Sequence, residues 1–234
     1  MEKAKKISEI IGDISYIGRG IIIGKTENGK AVITYFITGR SLNSRNRIFE
    51  LKNGELFTKP FDETKVEDAS LIIYAAIRRV KNFLIVTNGD QTDTVYNAIK
   101  EGKDIYAALR TRTFEPDAPN FTPRISGVLD LENGDYTISI LKAGDNNGTV
   151  CDRQFYEYEP TAGAGRFFST YERDGNPLPS FTGEPKKVII PKDIDEFKDE
   201  LWSSLDKDNK ISLYVEYIDL KTGESEYRLI NKNK

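Results

Sequence analysis

Tyr16-Ile17-Gly18-Arg19-Gly20-Ile21-Ile22-Ile23-Gly24 and Ala31-Val32-Ile33-Thr34-Tyr35-Phe36-Ile37-Thr38-Gly39 flank the segment Glu27-Asn28-Gly29-Lys30. Asn-Gly supplies the positive φ angles of a tight turn, so the stretch reads as a strand hairpin. Its second arm runs straight into Arg40-Ser41-Leu42-Asn43-Ser44-Arg45-Asn46-Arg47. Guanidinium groups are fork-shaped and permanently charged, so several of them at the end of a rigid strand suit a phosphate or a carboxylate. The competing reading is a solvated loop whose arginines pair with scattered carboxylates.

The same turn chemistry recurs further along. Glu132-Asn133-Gly134-Asp135 separates strand-like residues 125–131 from 136–141, and Lys221-Thr222-Gly223-Glu224 joins 211–220 to 227–230. In that last pair Leu213, Val215 and Tyr217 alternate with Ser212, Tyr214 and Glu216, as in a sheet with two distinguishable faces. Between the hairpins the spacing of Val66, Ala69, Ile72, Ile73, Ala76, Ile77 and Val80 predicts a helix over 66–80. Residues 81–87 read as a short buried strand, and a second helix follows from Asn88-Gly89 to about Lys100, stopping at Gly102. Asp193 and Glu196 open a late helix with Ile194, Phe197, Leu201, Trp202 and Leu205 on one face. Residues 114–123, 161–165 and 173–185 read as surface loops. Hairpins, a helical pair, then more hairpins predict an α+β layered fold.

Composition removes several kinds of chemistry. The 234 residues include no histidine and one cysteine, which excludes Ser-His-Asp and Cys-His catalysis and a thiolate zinc cage. A single cysteine also cannot form an intrachain disulfide. A net charge of −3 argues against bulk binding of nucleic acid or an anionic membrane. No apolar run approaches the roughly 20 residues that span a bilayer, and Met1-Glu2-Lys3-Ala4-Lys5-Lys6 lacks a signal-type apolar core behind it. These readings predict a soluble cytoplasmic protein. Any catalysis must come from carboxylates, tyrosine, lysine, arginine, hydroxyls, amides and backbone dipoles, with a carboxylate-only magnesium site still conceivable.

Four clusters are candidates for chemistry. The first is Arg40, Arg45 and Arg47. The second is Tyr74, which helical spacing sets beside Ser70 and Arg78, either as a proton donor or as a residue at the edge of a core. The third is Asn88-Gly89 at a strand-to-helix junction, where free backbone N–H groups can hold an anion, or where Asp90 or Thr92 simply caps the helix. The fourth is Glu115 in a proline-stiffened loop, followed by Arg124 entering a strand, with an ordinary surface loop as its alternative.

In this order the clusters resemble the archaeal-type inosine monophosphate cyclohydrolase family. The residues that carry the resemblance are Tyr16-x-Gly18-Arg19, Arg40-Ser41 with Arg45, Ile73-Tyr74 with Ile77-Arg78, Asn88-Gly89 with Thr92-Asp93-Thr94, and Thr122-Pro123-Arg124-Ile125. They cover about residues 16–125. Residues 1–15 stand as an N-terminal extension of a single domain over 1–234, and Gln91 stands where the family pattern leads one to expect histidine. The resemblance implies a four-layer αββα sandwich like that of the N-terminal nucleophile hydrolases, without their terminal nucleophile, since Met1-Glu2 offers none.

The implied reaction closes the ring of 5-formamidoimidazole-4-carboxamide ribonucleotide to give inosine monophosphate and water. It implies no cofactor or metal, a free nucleotide as partner, and a homo-oligomer. On the matched positions, Arg45 stabilises developing negative charge, Tyr74 donates or relays a proton, and Glu115 accepts an amide proton or orients the carboxamide. Asn88 and Gly89 contact the base or formyl group, while Arg19, Arg40 and Arg124, and then Arg47, are candidates for the phosphate. The alternatives are an amide hydrolase of the same fold and a non-catalytic purine-nucleotide-binding protein.

Overall fold

The expected hairpin forms at Asn28-Gly29, although Gly29 and not Asn28 takes the positive φ. Gly29 takes a φ of +95°, and β1 (Arg19–Lys25) pairs antiparallel with β2 (Ala31–Thr38) from Arg19↔Ile37 to Lys25↔Ala31. The computed structural model describes residues 3–66 and 73–233. Helix α1 (Ile7–Ile11) precedes this hairpin, and α2 (Leu42–Arg45), β3 (Ile48–Lys52) and β4 (Glu55–Lys59) follow it. Next come β5 (Tyr74–Val80), β6 (Phe83–Thr87), α3 (Gln91–Lys100) and α4 (Ile105–Arg110). Strands β7 (Arg124–Asp130), β8 (Tyr136–Ala143), β9 (Cys151–Tyr158), β10 (Ala164–Ser169) and β11 (Lys186–Ile189) lead into α5 (Ile194–Ser204). The last hairpin is β12 (Lys210–Ile218) and β13 (Ser225–Asn231).

The strands form two antiparallel sheets. One has six strands in the order β11-β10-β1-β2-β12-β13, and the other runs β3 to β9 as a seven-stranded meander. Period-two alternation then explains why the opening stretch is apolar throughout. Ile21, Ile23, Ile33, Tyr35 and Ile37 belong to a core shared with Leu84, Val86, Ile125, Leu129 and Ile138 of the other sheet. Ile22, Val32 and Phe36, with Leu213 and Val215, cluster instead with Ile7 and Ile11 of α1 and Phe197 and Leu201 of α5. On the seven-stranded sheet Ile85 and Val128 cluster with Val95 and Ile99 of α3 and Leu109 of α4. The fold is therefore α+β, built on two sheets buried against each other. At Gly127 they approach so closely that an added Cβ would lie 2.3 Å from Ile23 Cδ1.

The structure corrects two expectations. No helix forms over the described part of 66–80: Tyr74–Val80 is strand β5, and residues 67–72, including Ser70, lie outside the described residues. The cause is a bulge. Leu56 pairs with Ile77 while the next residue, Phe57, pairs with Ala75, so Ala76 and Ile77 are buried in succession and the alternation is lost. The 161–165 loop is shorter than expected, because β10 begins at Ala164.

Both ends of the described chain are tied into the sheets. Lys5 N–H donates to Lys187 O at 3.2 Å, and Ile189 N–H donates to Lys5 O at 2.9 Å. At the other end the Asn231 side chain imitates a peptide group: its Oδ1 accepts from Phe49 N–H at 2.8 Å and its Nδ2 donates to Phe49 O at 2.9 Å. This completes edge strand β3 where it lacks a neighbouring strand. Asn233 Nδ2 continues the contact to the carbonyls of Arg45 at 2.8 Å and Arg47 at 3.3 Å.

Candidate active site

Several strands begin at one end of the molecule, and their first residues meet there. Gly18, at φ +73°, turns the chain into β1 against Thr170, whose Oγ1 accepts from Arg19 N–H at 3.1 Å. Arg47 leads into β3, Tyr74 starts β5 and Arg124 starts β7. Between them lies a cleft of about 330 Å³, lined among others by Tyr16, Arg19, Arg40, Arg47, Glu115 and Tyr171. The Glu115 loop is closed on itself: Glu115 N–H donates to Thr122 O at 2.8 Å, and Asp117 accepts from the backbone N–H and hydroxyl of Thr122. The Thr122 hydroxyl in turn meets that of Tyr171 at 2.5 Å.

The electrostatics of the cleft are unbalanced. Arg19 is 7% exposed, Arg47 8% and Glu115 3%. Arg19 Nη2 lies 3.6 Å from Glu115 Oε2; among the described residues the Arg47 guanidinium makes no ion pair, and the buried Nε of neither arginine has a hydrogen-bond partner. Burial lowers the Arg47 pKa and the nearby Arg19 charge adds to the effect. Burial would lower Arg19 as well, but Glu115 and the surrounding phenols hold it well above its usual value. Burial raises the Glu115 pKa against the pull of Arg19, Arg124 and Arg47, with Asp117 assisting. The second carboxylate of the cleft, Asp117, is engaged by Thr122, Glu115 pairs with Arg19 and Arg40 with Asp174, so Arg47 is the buried cleft cation without an ion pair among the described residues.

Tyr74 is buried within electrostatic reach of Arg19 and Arg47 without itself lining the cleft, and its hydroxyl lies 2.7 Å from that of Tyr35, which is wholly buried between the sheets. Arg124 stands behind Glu115, bonded to Gln91 Oε1 at 2.8 Å and to Asp90 Oδ1 at 2.6 Å. The Gln91 amide donates to Asn88 Oδ1 at 2.9 Å, and Asn88 Nδ2 donates to Pro123 O at 2.9 Å and reaches Glu115 Oε1 only at 3.5 Å. A Cβ on Gly89 would lie 2.7 Å from both Arg124 Nη1 and Gln91 Oε1, which is why no side chain stands there.

Of the residues the sequence singled out, Arg19, Arg40, Arg47 and Glu115 line the cleft together. Tyr74 interacts electrostatically with Arg19 and Arg47. Arg40 packs over Tyr16 at 5.3 Å and donates to Asp174 and to Gly175 O. Asn88 and Gly89 sit one layer back: the Asn88 amide is engaged with the Arg124 strand, and Gly89 N–H already donates to Thr87 Oγ1 at 3.2 Å. Arg45 is not brought to the cleft. It is exposed, and its guanidinium donates to Gly39 O at 3.0 Å and Asn209 Oδ1 at 2.8 Å. Sequence reasoning missed Tyr35 and Tyr171. Tyr35 had a signal, a phenol inside an apolar strand whose hydroxyl needs a partner, whereas Tyr171 arrives from the end of β10 with nothing local to mark it.

A family profile described as IMP cyclohydrolase-like protein matches residues 16–224. Curated relatives named IMP cyclohydrolase include one from Methanopyrus kandleri, 35% identical over 121 residues that cover 50% of this chain and 60% of that protein. Another, from Methanococcus aeolicus, is 33% identical over 161 residues, 67% of this chain and 74% of the relative. A third, from Methanocella arvoryzae, is 33% identical over 143 residues, 56% of this chain and 70% of the relative. The match to the Methanopyrus kandleri protein thus spans less than two thirds of that relative's length.

Proposed function

This chain belongs to the IMP cyclohydrolase-like family, and from that premise we propose that it closes the ring of 5-formamidoimidazole-4-carboxamide ribonucleotide to give inosine monophosphate and water in purine biosynthesis. The observation that carries the reading is the charge imbalance of the cleft: Arg47 has no counter-ion among the described residues, and Arg19 shares Glu115 only loosely. A nucleotide phosphate, or the charge that develops on a reacting carbonyl, supplies what the site lacks.

The chemistry needs two reacting groups held together and protons moved between them. The carboxamide nitrogen attacks the formyl carbon; the formyl oxygen takes the Tyr74 proton, and the nitrogen loses one proton to Glu115. The product of this step is a neutral carbinolamine. Its hydroxyl then takes the proton back from Glu115 and leaves as water, while the formamide N–H proton returns to Tyr74 as the new C=N bond forms. Both side chains end as they began. Burial suits Glu115 to this exchange, because its raised pKa brings the acid and carboxylate forms closer in energy.

Arg19 and Arg47 stabilise the charge on Tyr74 and on the reacting oxygen, the role the sequence pointed to for Arg45. Arg40 at the cleft wall and Arg124 behind Glu115 are the remaining phosphate candidates, and Asn88 and Gly89 serve by fixing Arg124 and Glu115. The reading carries with it a four-layer αββα arrangement like that of the N-terminal nucleophile hydrolases, supported by α1 and α5 clustering with one sheet and α3 and α4 with the other. It also carries a cytoplasmic homo-oligomer acting on a free nucleotide, without nucleic acid or membrane; no described helix is long and apolar enough to cross a bilayer.

The test is a spectroscopic cyclisation assay on the purified protein with the formylated substrate. Conversion to inosine monophosphate is expected. A rate equal to that of buffer, with tight nucleotide binding, would make the chain a binding protein instead.

A further inference from the structure

Tyr35 has an unusual position for a phenol. Its ring is wholly buried between the two sheets and stacks on Phe49 at 5.4 Å, and its hydroxyl has the Tyr74 hydroxyl, 2.7 Å away, as its hydrogen-bond partner among the described residues. A buried O–H that donates to nothing is costly. If Tyr74 donated to Tyr35, the Tyr35 proton would be left with no acceptor among the described residues. With Tyr35 as donor and Tyr74 as acceptor, the buried proton is satisfied and the Tyr74 proton is left to point elsewhere.

We infer that Tyr35 is a positioning residue for ring closure: it fixes the direction of the hydrogen bond so that Tyr74 presents its own proton to the substrate. The inference rests on the proposed role of Tyr74 as proton donor. Tyr35 acts a second time once that proton has left. Its O–H still points at the Tyr74 oxygen, which then carries negative charge, and a hydrogen bond to a charged oxygen is stronger than one to a neutral oxygen. Burial holds the Tyr35 pKa well above the ordinary phenol value, so Tyr35 keeps its own proton throughout. Arg19 and Arg47 act on the Tyr74 oxygen through their charge, whereas Tyr35 acts along one defined bond.

Tyr35→Phe removes the hydroxyl and keeps the ring that stacks on Phe49. Turnover is to be measured in the full chain carrying Tyr35→Phe, Tyr74→Phe or both, with KM and melting temperature recorded for each. The expected result is a fall in kcat of about 10-fold for Tyr35→Phe, the worth of one hydrogen bond to a group that gains charge, at unchanged KM. The double variant should be no slower than Tyr74→Phe alone, because Tyr35 has no route to the reaction except through Tyr74. A slow Tyr74→Phe beside a native-rate Tyr35→Phe would overturn the inference and leave the proposed reaction standing. So would losses that multiply in the double variant, or a Tyr35→Phe defect confined to melting temperature. A native-rate Tyr74→Phe would instead remove the donor role on which the inference depends.

Discussion

Arg19 Nη2 and Glu115 Oε2 are 3.6 Å apart, close enough to pair their charges and too far for a normal hydrogen bond. The other carboxylate oxygen is held as loosely, by Asn88 at 3.5 Å. Glu115 is therefore paired in charge with a neighbour but keeps its lone pairs free to accept a proton, as its proposed role of base requires.

Activity should fall on the acid side at a pH above the ordinary carboxylate value of 4.5, because burial raises the Glu115 pKa. The sign follows from the role. The base must be ionised, so turnover is present above the raised pKa and lost as pH falls through it. Arg19, Arg124 and Arg47 limit the rise and Asp117 adds to it. A kcat profile whose acid limb lies at or below 4.5 would remove Glu115 as the base, and Glu115→Gln should abolish the limb together with most of the rate.

Replacing Arg47 by methionine should make the empty protein more stable, by about 1 kcal/mol, because a desolvated charge without a partner is exchanged for an apolar side chain of similar length. The same change should lower kcat/KM by at least about 100-fold, on the scale of losing a preorganised charged donor. Thermal melts and kinetics on one preparation check both. A lower melting temperature would show that Arg47 already has a stabilising partner.

Arg45→Ala should turn over within about threefold of native. Its guanidinium is occupied with Gly39 and Asn209 at the surface, and exposed contacts of this kind contribute about 1 kcal/mol or less. A loss of turnover greater than about tenfold at unchanged stability would restore Arg45 to the site.

Gly89→Ala should raise KM by about tenfold or more, since the new methyl group would meet Arg124 Nη1 and Gln91 Oε1, both at 2.7 Å and both pinned by hydrogen bonds. The melting temperature should fall as well. Unchanged KM would mean that Arg124 has no part in holding the substrate.

The hairpins were readable because Gly29, Gly134 and Gly223 each adopt the positive φ that only their local sequence had to specify. The late helix was readable for a similar reason: Asp193 accepts from Glu196 N–H at its first turn. Strand β5 was not, because the bulge opposite Leu56 and Phe57 lies in the pairing and not in the strand's own sequence. Strand β9 also went unrecognised, since only part of it is shielded and its polar first half, with Asp152 beside Arg153, is followed by the adjacent aromatics Phe155 and Tyr156, so no alternation runs its length. The site divides along the same line. Arg19, Tyr74, Glu115 and Arg124 belong to short motifs and could be named from them. That Arg47, and not Arg45, turns inward depends on which way the chain leaves α2, and Tyr35 and Tyr171 depend on contacts between distant strands.

The amide of Asn231 grips Phe49 on both sides of its peptide unit, and Asn233 holds the backbone on either side of Asn46. Both asparagines lie past residue 224, where the family match stops. The stretch recognisable by ancestry is thus shorter than the working unit. A version cut after residue 224 would lose strand β13 from the six-stranded sheet together with both asparagine clamps and the support of the Arg47 backbone, so boundaries for deletion or fusion belong after Asn233.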